Sequence, residues 1–187
     1  LENIAGVYTP LMAGGEVIVP SLAELGFTGS SSLDSEQLSR TISHYRPHSM
    51  ILTPQLLKAL VVAAKSGWQP PDSLRFVAVG GARTAPELID EAHAAGIPAY
   101  EGYGLSECAS VVALNSPKNN NPGSGGRPLS HLDVEIQDGE IVVRGNAMLG
   151  YIGEPESWGL EKIHTGDLGS IDERGFVHIE GRSKNLL

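Results

Sequence analysis

The chain has 187 residues, 41% of them hydrophobic, which is enough for one sizeable core or two small ones. Its net charge of -9 argues against a nucleic-acid partner, because phosphate backbones select basic surfaces; small nucleotides stay open, since loop amides and a few placed side chains grip them. The single cysteine, Cys108, excludes an intrachain disulfide framework and fits a reducing, cytoplasmic compartment. No stretch is long and apolar enough for a transmembrane segment, and the first residues carry no basic-then-apolar signal.

Residues Asn3 to Ala13 are apolar at helical spacing and end at Gly14-Gly15. Glu16 to Pro20 read as a short β-rich run, and Gly26 to Ser32 as a Gly/Ser-rich surface loop. Asp34 starts a helix, with Gln37 placed as a capping-box partner, and Arg46-Pro47 closes it. Ser49 to Leu52 is a short strand, and Thr53-Pro54 opens a helix to about Ser66. Leu74 to Val79 reads as a buried strand that ends in Gly80-Gly81. Thr84-Ala85-Pro86-Glu87 has the form of a capping box for a helix to Ala95, and Ile97 to Glu101 is the next strand. This alternation implies parallel strands with helices packed on them.

The texture changes after Asn115. Ser116 to Arg127 is rich in Pro, Asn and Gly and has no periodicity. Asp133 to Gln137 and Glu140 to Arg144 form a hairpin across Asp138-Gly139, and Leu168–Ile171 pairs with Phe176–Ile179 in a second. The fold class is therefore α/β: a layered parallel-sheet unit over residues 1–115, then a small, mostly β, barrel-like unit over residues 116–187.

Ligands of open α/β sheets sit at the carboxyl ends of strands. Two such ends are glycine-rich here: Val79-Gly80-Gly81-Ala82 and Glu101-Gly102-Tyr103-Gly104-Leu105-Ser106-Glu107. Glycine lets a backbone approach a ring or phosphate closely, Tyr103 offers an aromatic face, Ser106 a hydroxyl, and Glu107 a hard oxygen suited to Mg²⁺. Taken singly, each also reads as a plain turn or a helix start. The second hairpin, turning near Glu173-Arg174, sets Asp167 beside Glu180 and Arg182 beside Thr165. Asp167 and Arg182 then meet at its open end, either as a ribose-binding pair or as a structural ion pair. The six histidines show no metal-ligand pairing, Cys108 reads as a packed small residue, and there is no nucleophile elbow of the hydrolase type.

Four segments, in this order and spacing, resemble the adenylate-forming superfamily of acyl-CoA synthetases, peptide-synthetase adenylation domains and luciferases. Tyr103-Gly104-Leu105-Ser106-Glu107 resembles its Tyr-Gly-x-Thr/Ser-Glu motif. Gly139-Glu140-Ile141-Val142-Val143-Arg144-Gly145, with Gly150-Tyr151, resembles its Gly-Glu-Leu-x-Val-x-Gly…Gly-Tyr stretch. Thr165-Gly166-Asp167 resembles its Thr-Gly-Asp motif, and Gly181-Arg182-Ser183-Lys184 its Gly-Arg-x-Lys segment.

The resemblance implies an ATP-dependent acid–thiol ligase that forms an acyl adenylate and passes the acyl group to CoA or a carrier-protein pantetheine. It implies that Gly80, Gly81 and Ala82 line the adenine and acyl pocket, Tyr103 and Gly104 meet adenine, and Ser106 touches the α-phosphate. Glu107 would hold Mg²⁺, Asp167 and Arg182 would serve the ribose, and Lys184 would be the hinge to a further domain. The wording of the first motif is most similar to long-chain acyl-CoA synthetases, so a fatty acid is the expected carboxylate; an aryl or amino-acid adenylating domain and a non-catalytic nucleotide-binding module are the alternatives. The family's phosphate-cradling loop and its C-terminal domain with the adenylation lysine have no counterpart in these residues, and Asn3 stands where many relatives have His. The chain is accordingly expected to be an internal piece of a longer enzyme, inactive alone.

Overall fold

The computed structural model describes residues 3–28 and 32–183. It divides into two compact units, Gly6–Tyr100 and Glu101–Leu187 with Leu1–Ala5. The division falls inside a strand, ahead of the change of texture at Asn115, because the end of that strand pairs with the next strand in the chain.

The helical run expected from Asn3 is present: a π-helix over Asn3–Tyr8 passes directly into α1 (Thr9–Met12) at the head of the Gly6–Tyr100 unit. Glu16 to Pro20 is irregular, not extended pairing: Val19 is 80% exposed, and these residues have no ladder partner among the described ones. The expected loop after Gly26 contains the two-residue strands β1 (Phe27–Thr28) and β2 (Ser32–Leu33), paired antiparallel. Then come α2 (Ser35–Tyr45), β3 (Ser49–Leu52), α3 (Pro54–Lys65), β4 (Phe76–Val79), α4 (Pro86–Ala94) and β5 (Ala99–Tyr103). β3 and β4 are parallel, and the Val77 amide donates to the Pro98 carbonyl, which sets the head of β5 beside β4.

Helix α3 shows why the alternation folds this way. Leu57, Leu60 and Val61 fall on one helical face and are buried, while Val62 on the other face is 48% exposed. They join Val77 and Val79 of β4 and Ile89 of α4 in one core. Burying each such side chain contributes about 1.5–3 kcal/mol.

The capping expectations divide. The Asp34 carboxylate accepts from the amides of Glu36 (2.9 Å) and Gln37 (3.1 Å), as a good N-cap does. Gln37 does not reach back to it; its side-chain amide donates to the Glu24 carbonyl at 3.2 Å. At α4 the N-cap residue is Ala85 rather than Thr84, Pro86 stands in the first turn, and Thr84 is buried.

The Glu101–Leu187 unit is antiparallel. Gly102 and Tyr103 of β5 pair with β6 (Ala113–Leu114), which pairs with β7 (Arg127–Pro128). β8 (Asp133–Gln137), β9 (Glu140–Arg144), β10 (Lys162–Ile171) and β11 (Val177–Arg182) form a sheet in the order β11-β10-β9-β8. The Gly125 amide donates to Val177 O and the Val177 amide to Gly126 O, so the segment leading into β7 covers the outer edge of β11. Ile141, Val143, Ile163 and Val177 fill the unit's core with Cys108 and Val112. No helix among the described residues is long and apolar enough to cross a membrane.

The cap contrast is measurable. Asp34→Ala should lower unfolding stability by about 1 kcal/mol, the usual worth of an N-cap. Thr53→Ala, at a cap position with no side-chain hydrogen bond, should stay within about 0.5 kcal/mol. Urea denaturation of the two variants checks the difference.

Candidate functional site

The site in the Glu101–Leu187 unit starts from the far end of β5. There the Val112 amide donates to the Tyr103 carbonyl, so the chain leaves at Gly104 and returns within a few residues. Ser106–Cys108 makes a single 3-10 turn in that excursion. Gly104 is required by space: a Cβ there would stand 1.6 Å from the Ser110 carbonyl oxygen. The return runs through left-handed Ala109 (φ 57°) and Ser110 (φ 86°), conformations that cost about 1–3 kcal/mol each for non-glycine residues. Strain is thus concentrated on the segment that presents Ser106 and Glu107.

The side chains of this segment have distinct settings. Ser106 is exposed, and Cys108 behind it is fully buried. Burial, with the Glu107 charge adding to it, pushes the Cys108 thiol up to about 11, which disables it as a nucleophile at neutral pH. The Glu107 carboxylate accepts the Tyr151 hydroxyl, a bond that raises the phenol above its ordinary value. The Met148 amide donates to the Glu107 carbonyl at 2.8 Å. Glu107 could give Mg²⁺ one hard oxygen; among the described residues it belongs to no group of three metal-ligating side chains. One carboxylate suffices only where substrate phosphates and water complete the shell.

Tyr103 points to the second hairpin. Its hydroxyl donates to Asp167 Oδ2 at 2.8 Å, and Arg182 Nε donates to Asp167 Oδ1 at 2.8 Å. Three of the singled-out residues, far apart in the chain, thus meet on one carboxylate. The Asp167 side chain is 8% exposed while that of Arg182 is 63% exposed, so the pair has a buried end and a wet end. Burial raises the Tyr103 phenol first, and donation to a carboxylate raises it further, with the Thr165 contact pulling the other way.

The hairpin register differs from the sequence expectation. Asp167 faces Arg182 itself, not Glu180, because β10 slips against β11 between Leu168 and Gly169. The turn is also set elsewhere than Glu173-Arg174 implies: Asp172 Oδ1 accepts the amides of Arg174 and Phe176, both at 2.9 Å, which fixes the strand ends around it. Asp172 is held below the ordinary carboxylate range by these bonds, the Phe176 amide foremost.

Sequence reasoning gave no role to two further polar residues of this unit, Glu140 and Asn115. Glu140 accepts from the Gly166 amide (2.6 Å) and from His164 Nδ1 (3.0 Å). Desolvation alone would raise its pKa, but the His164 and Gly166 hydrogen bonds, with the histidine's charge, outweigh that and hold it low. Asn115 is fully buried; its side-chain amide donates to the carbonyls of Glu101 (3.0 Å) and Ser124 (2.8 Å), and its oxygen accepts from Asn121 (2.8 Å). It anchors the Pro/Asn/Gly-rich loop that composition alone shows only as aperiodic. A change of texture after Asn115 was the one signal in the sequence.

Gly80, Gly81 and Ala82 follow β4 in the Gly6–Tyr100 unit, with the Gly80 amide on Leu52 O (3.1 Å), Gly81 at φ 82° and Ala82 exposed. Lys184 lies outside the described residues.

An α/β unit and a β unit carrying this carboxylate cluster define the class, and the comparisons identify the family. The profile of the AMP-binding enzyme family matches residues 1–152, and the chain belongs to that family. A 2-succinylbenzoate--CoA ligase of Staphylococcus aureus (strain MSSA476) is 29% identical over 190 residues, 94% of this chain and 38% of that protein. The ligase of the same name from Geobacillus sp. (strain WCH70) is 34% identical over 138 residues, 63% of this chain and 27% of that protein. The chain therefore spans well under half the length of these relatives. In fold, it superimposes on the O-succinylbenzoate coenzyme A synthetase (MenE) of Bacillus subtilis in complex with AMP, with a TM-score of 0.80 at 23% identity, covering 100% of this chain and 40% of that one. Wild-type E. coli MenE with a bound analogue of OSB-AMS matches at a TM-score of 0.67 and 29% identity, over 80% of this chain and 33% of that one. These relatives are named for succinylbenzoate, and the fatty-acid expectation finds no support among them.

Tyr103→Phe tests the carboxylate cluster. A hydrogen bond to a charged group is worth about 1.5–3 kcal/mol, and the variant should lose stability in that range at pH 7. A phenol whose folded pKa is raised stabilises fully below its unfolded value of 10.0 and progressively less as the pH climbs past it. The gap between wild type and Tyr103→Phe should therefore shrink above pH 10, as followed by denaturant unfolding.

Proposed function

We propose that the chain is the part of a longer carboxylate-activating ligase that holds the nucleoside end of ATP. The observation that carries this reading is the convergence of Tyr103, Asp167 and Arg182 on one carboxylate. A ribose diol needs an acceptor fixed in place. The Asp167 oxygens, each already receiving one hydrogen bond, keep lone pairs for two more. Arg182, largely exposed, has its remaining guanidinium donors for the sugar or phosphate oxygens.

In this reading Tyr103 and Gly104 border the adenine, and Gly80, Gly81 and Ala82 line the adenine and acyl pocket. Ser106 donates to an α-phosphate oxygen, and Glu107 contributes one oxygen to Mg²⁺ on the phosphates. Lys184 serves as the hinge to a further domain. The functional parts would be an α/β portion over 1–115 and a β portion over 116–187. Membership of the AMP-binding enzyme family supports these roles.

The reaction of the whole enzyme would have two steps. A substrate carboxylate oxygen attacks the α-phosphorus, the bond to the β-phosphate oxygen breaks, and pyrophosphate leaves an acyl adenylate. A thiolate, from CoA or a carrier-protein pantetheine, then attacks the acyl carbon and expels AMP. The chain's residues act by position and charge, holding the sugar while negative charge shifts among the phosphate oxygens. The names of the relatives support an aromatic carboxylate, 2-succinylbenzoate or a close congener, over a fatty acid.

In the full-length protein, Asp167→Asn should weaken ATP binding by about 10- to 100-fold, since it removes a charged acceptor. Ser106→Ala, which removes a hydroxyl donor to a charged phosphate oxygen, should cost a comparable amount, about 10- to 100-fold. Isothermal titration calorimetry with ATP compares the two; an Asp167→Asn affinity equal to wild type would remove the ribose assignment.

A further inference from the structure

We propose that Glu140 is the positioning residue of the ribose site: its carboxylate grips the Gly166 amide and so sets the bulge that aims Asp167. The inference rests on the ribose reading of Asp167 and adds the reason that residue stands where it does.

The geometry begins in the β9–β10 ladder. Ile163 faces Val143 and His164 faces Val142, but the next pair is Leu168 with Glu140. Thr165, Gly166 and Asp167 therefore oppose Ile141 alone. Bulges re-aim side chains, and they leave amides that the ladder no longer satisfies. Here side chains take them up. The Asp167 amide donates to Thr165 Oγ1 at 3.1 Å, and that hydroxyl donates on to the Ile141 carbonyl at 2.8 Å. The Gly166 amide donates to Glu140 Oε1 at 2.6 Å, and the Gly166 carbonyl accepts from Ser183 Oγ at 3.1 Å. Gly166 sits at φ 71°, a left-handed conformation that glycine alone adopts without penalty.

Glu140 is thus the side chain from the neighbouring strand that holds the apex of the bulge. Its second oxygen is occupied by His164, so the carboxylate cannot swing away without losing two bonds at once. The Asp167 main chain follows directly from this apex, and its carboxylate then reaches Tyr103 and Arg182. Without the Glu140 acceptor, the Gly166 amide must find water or the bulge must relax, and either change moves the Asp167 oxygens off the sugar.

The test reads sugar recognition, not turnover. In the full-length protein, affinities for AMP and for 2′,3′-dideoxy-AMP are measured by calorimetry for wild type, Glu140→Ala, Glu140→Gln, Glu140→Asp and Asp167→Asn. A general loosening of the fold weakens both nucleotides alike; misplacement of Asp167 weakens AMP alone. Glu140→Ala should shrink the preference for AMP by about tenfold, the scale of one lost hydrogen bond. Glu140→Asp should do the same, because its carboxylate is withdrawn by about 1.5 Å. Glu140→Gln keeps an acceptor for the Gly166 amide and should keep the preference. If Asp167→Asn loses the preference while the Ala and Asp variants at 140 retain it, the positioning role is overturned and the ribose reading stands. If Asp167→Asn retains it, the ribose reading falls, and this inference with it.

Discussion

The candidate site of the β unit is arranged around one buried carboxylate. Taking Asp167 out of water carries a desolvation penalty of several kcal/mol unless partners offset it. The chain supplies them from two distant places: a phenol at the end of β5 and a guanidinium at the end of β11. A salt bridge buried on both sides is weak support for a fold, but this pair is buried only on the Asp167 side. The exposed Arg182 keeps its hydration, and the carboxylate keeps spare lone pairs. On the proposed ribose reading, those lone pairs are the ones that accept from the sugar.

Two of the unit's irregularities, the bulge at Thr165-Gly166-Asp167 and the left-handed turn at Ala109-Ser110, break regular pairing, and both sit beside singled-out residues. Regular strands could not achieve this. A strand alternates its side chains to two faces, so a carboxylate that must leave that alternation needs extra residues and substitute partners for the freed amides. Glu140 and Thr165 accept from the freed amides, and Ser183 donates to the Gly166 carbonyl. Asn115 plays the matching part for the loop that leads toward β7.

Much of this was legible in the sequence where local chemistry decides the outcome. Helix α2 begins at Asp34 because a short carboxylate before a helix caps it almost regardless of context. The shift from helical spacing to short alternating runs marked the antiparallel half. Glu16 to Pro20 misled because β propensity without a neighbouring strand makes no ladder. The site divides along the same line. Asp167 and Arg182 could be placed together from the hairpin alone, but their direct pairing depends on a slip in register that no periodicity reveals. Glu140 reads as an ordinary hairpin residue until the bulge beside it is known. The substrate class was least legible, since motif wording pointed to fatty acids while the relatives are named for succinylbenzoate.

The most direct test of the account is a crystal structure of the full-length protein with AMP bound. The account predicts both ribose hydroxyls within about 3.2 Å of the Asp167 carboxylate, with Arg182 still on Oδ1 and Gly166 still held by Glu140. An AMP whose ribose lies away from Asp167, with that carboxylate still engaged only by Tyr103 and Arg182, would contradict it.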